Sequence, residues 1–134
     1  MKVKHIDHIG IAVKNIGQAG KFYTEILGLK IEDIENVADQ KVNVAFIPIT
    51  DSEVELLEST APDGPVAKYI DSKGEGVQHI AFTVDDLAGE TAQLAARGVR
   101  MIFDAELPNG ARIAYYDTGG VADMMIELVQ PGKA

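Results

Sequence analysis

The chain has 134 residues, 46% of them hydrophobic and 25% charged, with a formal net charge of −9 and no cysteine. The length and composition fit one globular domain with a buried core. The acidic balance argues against nucleic acid as a partner, because that affinity depends on clustered Lys and Arg, and the lack of cysteine excludes disulfides and thiolate chemistry. No apolar run approaches the roughly 20 residues that span a bilayer, and no signal-peptide pattern opens the chain, so we expect a cytoplasmic protein that does not bind membranes.

The first half of the chain predicts the order strand, helix, three strands and a short helix. Asp7 to Val13 alternates as a strand does, and Asn15 fits the N-cap of a helix that Gly28 closes. The turn residues and apolar alternation that follow predict strands over 30–37, 41–48 and 53–58, then a helix over 66–72.

The second half repeats this order. A strand begins at His79, and Asp85 or Asp86 fits the N-cap of a helix that closes at Gly98. The patterns then predict strands over 99–103, 112–117 and 124–129.

Three kinds of landmark recur at a nearly constant distance: a histidine in the first strand, a glycine after the helix and a glutamate in the last strand. The separations are 71 residues (His8 to His79), 70 (Gly28 to Gly98) and 72 (Glu55 to Glu127). We interpret this as duplication of a βαβββ module within one domain. Module one covers about residues 1–60, a linker with the short helix about 61–74, and module two about 75–134. The predicted fold class is therefore α+β, with two tandem βαβββ modules. We expect them to form a curved mixed sheet around a cleft, and the residues below predict that the cleft holds a metal.

Each module contributes one histidine and one glutamate to a candidate site. Glu55 and Glu127 both interrupt apolar strands, and burying a carboxylate is costly unless it is paired or binds a metal. Together with His8 and His79 they form a set of two imidazoles and two carboxylates, which suits first-row divalent ions such as Co²⁺, Zn²⁺, Ni²⁺ or Mn²⁺. A lone strand histidine or glutamate is more often structural, so the hypothesis depends on the repetition. His5 lies three residues before His8, and we interpret it as a surface residue.

The sequence resembles the vicinal-oxygen-chelate superfamily, which includes glyoxalases, bleomycin-resistance proteins and dioxygenases. The module ends carry this resemblance: Asp-His-Ile-Gly-Ile-Ala-Val from Asp7 and Ile-Glu-Leu around Glu127. Within the superfamily the chain is most similar to the methylmalonyl-CoA epimerases, through Pro-Val-Ala-Lys-Tyr-Ile from Pro65 and Gly-Glu-Gly-Val-Gln-His from Gly74.

The resemblance implies a divalent metal bound by His8, Glu55, His79 and Glu127, and a homodimer acting on a small acyl thioester. It implies proton abstraction at the α-carbon of a methylmalonyl-CoA-type thioester through a metal-stabilised enolate, with Glu127 as the catalytic acid/base. Epimerases carry glutamine or glutamate at the position of Glu55.

Two places differ from the epimerases. Several of them have a second glutamate where this chain has Val44, which leaves the second acid/base unassigned. The late segment lacks their His-Pro pair and carries added residues before Met124, which are expected to reshape a loop near the site.

Two alternatives are a glyoxalase-I-like lactoylglutathione lyase, which uses the same ligand pattern, and a non-catalytic member of the superfamily that binds a small molecule. The second alternative expects the four ligand positions to be lost, and here all four are present. An extradiol-type dioxygenase fits less well, because that chemistry prefers two histidines and one carboxylate.

Overall fold

A computed structural model describes residues 2–120 and 124–132. It confirms the α+β class, the mixed sheet and the repeated βαβββ order. The helices are α1 (Ile16–Lys21), α2 (Pro65–Lys73) and α3 (Leu87–Ala96), with a π-helical turn at Phe22–Ile26 and a 3-10 turn at Ala38–Gln40. The strands are β1 (Val3–Ala12), β2 (Asp33–Val37), β3 (Val42–Ile49), β4 (Ser52–Ser59), β5 (Gly76–Val84), β6 (Met101–Glu106), β7 (Arg112–Asp117) and β8 (Met125–Gln130).

Backbone hydrogen bonds link the eight strands in the order β2-β3-β4-β1-β5-β8-β7-β6. Strand β1 is parallel to β4, and β5 is parallel to β8. The hairpins β2–β3, β3–β4, β6–β7 and β7–β8 are antiparallel. Each parallel pair therefore joins the first and last strands of one βαβββ module.

The chain divides into two compact units, and β1 contributes to both. The first unit is His8–Gln78, and the second unit combines Met1–Asp7 with His79–Ala134. Organisation as a single domain, with modules bounded near residues 60 and 75, stays a prediction.

In the first unit, one sheet face packs on α1 and the other on α2. Ile16 of α1 lies in a core cluster with Ala45, Ile47 and Leu56, all of them buried. The opposite cluster joins Val66 of α2 to strand side chains that include Ala12, Val44 and Leu57. The two clusters alternate along β3 and β4, as the period of two in a strand requires.

The loop before α2 is held by a charged contact. The Lys41 ammonium donates a hydrogen bond to Asp63, and with its charge this lowers the pKa of that exposed carboxyl below its usual range. Pro65 then occupies the first turn of α2, where its missing N–H costs nothing.

In the second unit, α3 covers one face of the sheet. Leu87 packs with Val84, Ala114, Tyr116 and Leu128, all buried. The Asp86 side chain caps α3 by accepting from the backbone N–H of Gly89, so the capping prediction is confirmed for one of its two candidates.

The element boundaries differ from the predictions around the first helix, at β2 and at β6, which covers Met101–Glu106 rather than 99–103. The Asn15 cap is confirmed, since its side chain accepts from the Gln18 N–H, but the helix widens to a π-helical turn after Lys21. Gly28 adopts the expected positive φ of 72°. Strand β2 begins at Asp33 rather than at Lys30.

The added residues of the late loop include 121–123, which lie outside the described residues. Over the described ranges 2–120 and 124–132, no helix is long and apolar enough to cross a membrane.

Candidate metal centre

The first unit brings His8 and Glu55 together. In the parallel pairing of β1 with β4, Gly10 lies opposite Glu55, so His8 is two residues before the partner of the glutamate. Alternate residues of a strand share a face, which puts the two side chains on the same side of the sheet. Nδ1 of His8 lies 3.4 Å from Oε2 of Glu55. These residues are called the first pair.

The second unit brings His79 and Glu127 together in the same way. Ala81 lies opposite Glu127 in the parallel pairing of β5 with β8, and His79 is again two residues earlier. Nε2 of His79 lies 3.2 Å from Oε1 of Glu127. These residues are called the second pair.

The two pairs have the same strand register, although they belong to different units. The histidines are 71 residues apart and the glutamates 72, and each pair spans a parallel contact between the first and last strands of its module. Such agreement is the structural mark of a duplicated module, and it shows that the four side chains occupy two equivalent positions.

Both pairs are shielded from solvent, but not equally. The side chains of His8 and Glu55 are 9% and 14% exposed, whereas those of His79 and Glu127 are each 3% exposed. Removing a carboxylate from water is costly unless a partner offsets it. The carboxylate of Glu127 is therefore less accessible to water than that of Glu55.

The donor types of both pairs fit a first-row divalent metal. His8, Glu55 and His79 each offer one ligating atom, a ring nitrogen or a carboxylate oxygen, and Glu127 offers another carboxylate oxygen. Imidazole and carboxylate are common ligands of Zn²⁺, Co²⁺, Ni²⁺, Mn²⁺ and Fe²⁺. The role of all four as ligands of one ion stays a prediction.

Val44, at the position where several epimerases carry a glutamate, is part of the core. It lies opposite Leu57 in the β3–β4 hairpin and packs in the cluster with Ala12 and Val66. An apolar residue suits this place because α2 covers it. Val44 provides no proton-transferring group.

Tyr115 is a neighbour of the second pair that no pattern in the sequence predicts. It lies directly opposite Glu127 in the β7–β8 hairpin, and its ring meets the imidazole of His79 edge-on, with centroids 5.3 Å apart. Phe46 holds the corresponding place opposite Glu55 in the first unit. In the sequence, Tyr115 follows Phe46 by 69 residues, close to the separation of the other repeated landmarks. This correspondence can be recognised only when the strand register is known.

His5 is exposed, which confirms its assignment as a surface residue. Its Nε2 lies 3.2 Å from Oγ1 of Thr83, and the Thr83 hydroxyl also donates to Asp7 at 3.3 Å. These contacts tie the first residues of β1 to β5.

Tyr116 points to the opposite face from Tyr115 and belongs to the core beneath α3. It is 2% exposed, and its hydroxyl lies 2.6 Å from the Thr91 hydroxyl. Burial raises the pKa of Tyr116 above its ordinary value of 10.0. Tyr115 thus lies beside the second pair, whereas Tyr116 packs in the core beneath α3.

Comparison with known proteins identifies the family of this chain. The family model described as "Glyoxalase/Bleomycin resistance protein/Dioxygenase superfamily" matches residues 7–116. The chain is 37% identical over 131 residues to the uncharacterized protein YqjC of Bacillus subtilis, covering 96% of this chain and 94% of that protein.

Several relatives and structural neighbours are methylmalonyl-CoA epimerases. The human mitochondrial enzyme is 28% identical over 132 residues, covering 93% of this chain and 73% of the relative. A variant of the Streptomyces coelicolor epimerase, in complex with 2-nitronate-propionyl-CoA, superposes with a TM-score of 0.87 at 31% identity and covers 97% of this chain and 96% of its own. With its duplicated modules and repeated pairs of histidine and glutamate, the chain belongs to the glyoxalase/bleomycin resistance protein/dioxygenase superfamily.

Proposed function

We propose that this protein is a divalent-metal-dependent epimerase of methylmalonyl-CoA-type thioesters. The observation that carries the proposal is the pair of His–Glu contacts at equivalent registers, at 3.4 Å and 3.2 Å. Each module places the same two donor types in shielded contact, and imidazole together with carboxylate suits a first-row divalent metal.

The proposed metal ligands are His8, Glu55, His79 and Glu127. Two neutral imidazoles and two carboxylates carry two negative charges, which balance a divalent cation. When bound, such a cation supplies Lewis-acid polarisation of the substrate oxygens on either side of the α-carbon. The support for this assignment is the chemistry of the donors and their burial in both pairs.

Glu127 is the proposed acid/base that removes the α-proton. Its carboxylate is an acceptor with little competition from water, because the side chain is 3% exposed. Exclusion of water strengthens the electrostatic interactions of the group with a bound substrate. Glu55, which is more exposed, is assigned only to metal binding.

The proposed substrate class rests on the relatives. Relatives from mammals are named methylmalonyl-CoA epimerases, and one from Cereibacter sphaeroides is named an ethylmalonyl-CoA/methylmalonyl-CoA epimerase. In such a substrate the α-carbon lies between a thioester and a carboxylate. The thioester carbonyl delocalises the charge that forms when the proton leaves, and the carboxylate would offer a second oxygen to the proposed cation.

Deuterium incorporation tests the proposal directly. The protein is loaded in turn with Co²⁺, Zn²⁺, Ni²⁺ and Mn²⁺ and incubated in D₂O with one epimer of methylmalonyl-CoA. We expect deuterium at the α-carbon, measured by ¹H NMR and mass spectrometry, together with formation of the other epimer. Elemental analysis is expected to show one metal ion per chain.

Two controls make the test specific. Glu90→Gln changes another buried glutamate, one that accepts a hydrogen bond from the Lys2 backbone N–H, and it is expected to leave exchange unchanged. The same preparations receive methylglyoxal and glutathione, and we expect no lactoylglutathione. Exchange no faster than in a protein-free blank with all four ions would refute the proposal.

A further inference from the structure

We propose that Tyr115 is a positioning residue that holds the imidazole of His79 in its metal-binding orientation. The inference rests on the proposed metal site and assigns a role to a residue outside the ligand set. It is drawn from the second unit alone, where Tyr115, His79 and Glu127 lie side by side.

The contacts of Tyr115 restrict both its own ring and that of His79. Tyr115 is the cross-strand partner of Glu127, so the two side chains lie on the same face of the sheet. Its ring meets His79 at a centroid distance of 5.3 Å and an interplanar angle of 79°. On another side Phe103 contacts Tyr115 at 6.4 Å and 64°.

An imidazole needs such support because rotation about its second side-chain torsion is weakly restricted. Glu127 contacts His79 through Nε2 at 3.2 Å, and the nearly perpendicular ring of Tyr115 occupies space into which the imidazole would otherwise turn. Edge-to-face aromatic contacts contribute an amount equivalent to roughly a 2- to 10-fold change in an equilibrium constant. Hydrogen-bonding groups that orient metal ligands change metal affinity by about 10- to 100-fold when they are removed, and an aromatic contact is expected at the lower end of that range.

The first pair provides an internal comparison. Phe46 lies opposite Glu55, as Tyr115 lies opposite Glu127, but it packs with the apolar cluster that joins α2 to the sheet. The first pair is also the more exposed of the two. We therefore expect the aromatic residue to control metal affinity in the second pair and to serve mainly the core in the first.

The experiment compares Co²⁺ binding by the natural protein with that of Tyr115→Leu, Tyr115→Phe and Phe46→Leu. Affinity is measured by calorimetric titration, and ligand geometry by the visible d–d absorption of bound Co²⁺. We expect Tyr115→Leu to bind about tenfold more weakly with an altered spectrum. Tyr115→Phe, which keeps the ring, is expected to bind within threefold of the natural protein with the natural spectrum, and Phe46→Leu likewise within threefold.

Thermal unfolding of the metal-free variants establishes that each is folded. If Tyr115→Leu does not fold, Tyr115→Met takes its place with the same expectation, because its unbranched, flexible side chain adapts to the space without an aromatic ring. Binding by the ring-free variant within threefold of the natural protein, with an unchanged spectrum, overturns the proposal. An equal loss in Tyr115→Phe or in Phe46→Leu overturns it as well.

The Co²⁺ titration distinguishes failure of the Tyr115 proposal from failure of the proposed function. If the natural protein binds none of Co²⁺, Zn²⁺, Ni²⁺ and Mn²⁺, the metal site itself is wrong and both proposals fail. If it binds Co²⁺ and all the variants bind equally, only the role of Tyr115 is refuted, and the deuterium-exchange test of the natural protein is unaffected.

Discussion

Replacing Glu127 by glutamine tests whether its carboxylate binds a metal or serves only to stabilise the fold. Its side chain is 3% exposed and lies 3.2 Å from Nε2 of His79. The amide has the same shape and can keep a hydrogen bond to the imidazole. The charge-assisted hydrogen bond that is lost contributes roughly 1.5–3 kcal/mol, while burial of the ionised carboxylate costs several kcal/mol. We therefore expect the metal-free variant to be within about 1 kcal/mol of the natural protein in stability.

Metal binding is expected to distinguish the Glu127→Gln variant from the natural protein. At a free-ion concentration 100 times Kd, the natural protein gains about 2.7 kcal/mol, which at roughly 3–4 °C per kcal/mol raises Tm by about 8–11 °C. If loss of the buried charge weakens binding a hundredfold, the same ion concentration leaves about 0.4 kcal/mol, a shift of about 1–2 °C. Deuterium exchange is expected to fall by roughly 10²- to 10⁴-fold, the usual contribution of a general base.

The equivalent substitution in the other module is the matched control. Glu55 is 14% exposed, and glutamine occupies its position in some of the epimerases that the sequence resembles. We expect Glu55→Gln to weaken metal binding about tenfold and, at saturating metal, to keep exchange within about tenfold of the natural rate. Differential scanning fluorimetry with and without the ion, and ¹H NMR in D₂O, provide both measurements.

Two results would contradict this reasoning. A loss of 3 kcal/mol or more in the metal-free Glu127→Gln variant is what breaking a structural buried pair predicts. A metal-induced rise in Tm equal to that of the natural protein would show that Glu127 is not a ligand.

Three further predictions concern the scaffold. Leu56→Ala removes a side chain that is 0% exposed and is expected to cost about 2–5 kcal/mol in urea unfolding. Asn15→Ala removes the side chain that caps α1 through the Gln18 N–H, with an expected loss of about 1 kcal/mol in the same assay. Because the pKa of Tyr116 is raised in the folded state, its contribution to stability is present below pH 10.0 and is lost as the pH rises above it. Tyr116→Phe is expected to flatten that alkaline decline while removing the hydrogen bond with Thr91.

Each of the three has a contradicting result. A cost under 1 kcal/mol for Leu56→Ala would mean that the core beneath α1 can collapse around the gap. An unchanged urea midpoint for Asn15→Ala would show that water caps the helix equally well. A decline above pH 10.0 that is equally steep with and without Tyr116 would assign it to other groups.

The elements that follow local rules were predictable from the sequence. The cap at Asn15, the positive φ at Gly28 and Gly98, and strand β7 over Arg112–Asp117 all depend on residues close in the chain. The repetition of histidine and glutamate led to the prediction of one metal site with four ligands, which stays a prediction. The contacts of His8 with Glu55 and of His79 with Glu127 follow from the strand register.

The features that were missed depend on contacts distant in sequence. Tyr115 becomes a neighbour of His79 only through the pairing of β7 with β8 and of β8 with β5, which no local pattern encodes. The π-helical turn at Phe22–Ile26 was equally hidden, since a helical repeat of apolar residues does not reveal an extra residue in one turn. Strand β2 begins at Asp33, the first residue that pairs with β3, where it lies opposite Phe46, and Lys30 precedes this pairing.

The division of β1 has a consequence for how the chain acquires its structure during synthesis. Residues up to Asp7 belong with the segment that begins at His79, while the rest of β1 pairs with β4. On a ribosome the His8–Gln78 unit can assemble first, but the leading residues must wait until Thr83 has emerged. A short extension fused ahead of Val3 is therefore expected to slow the folding of the second unit, because the first residues of β1 must still reach β5. It is expected to leave the folding of the His8–Gln78 unit unchanged.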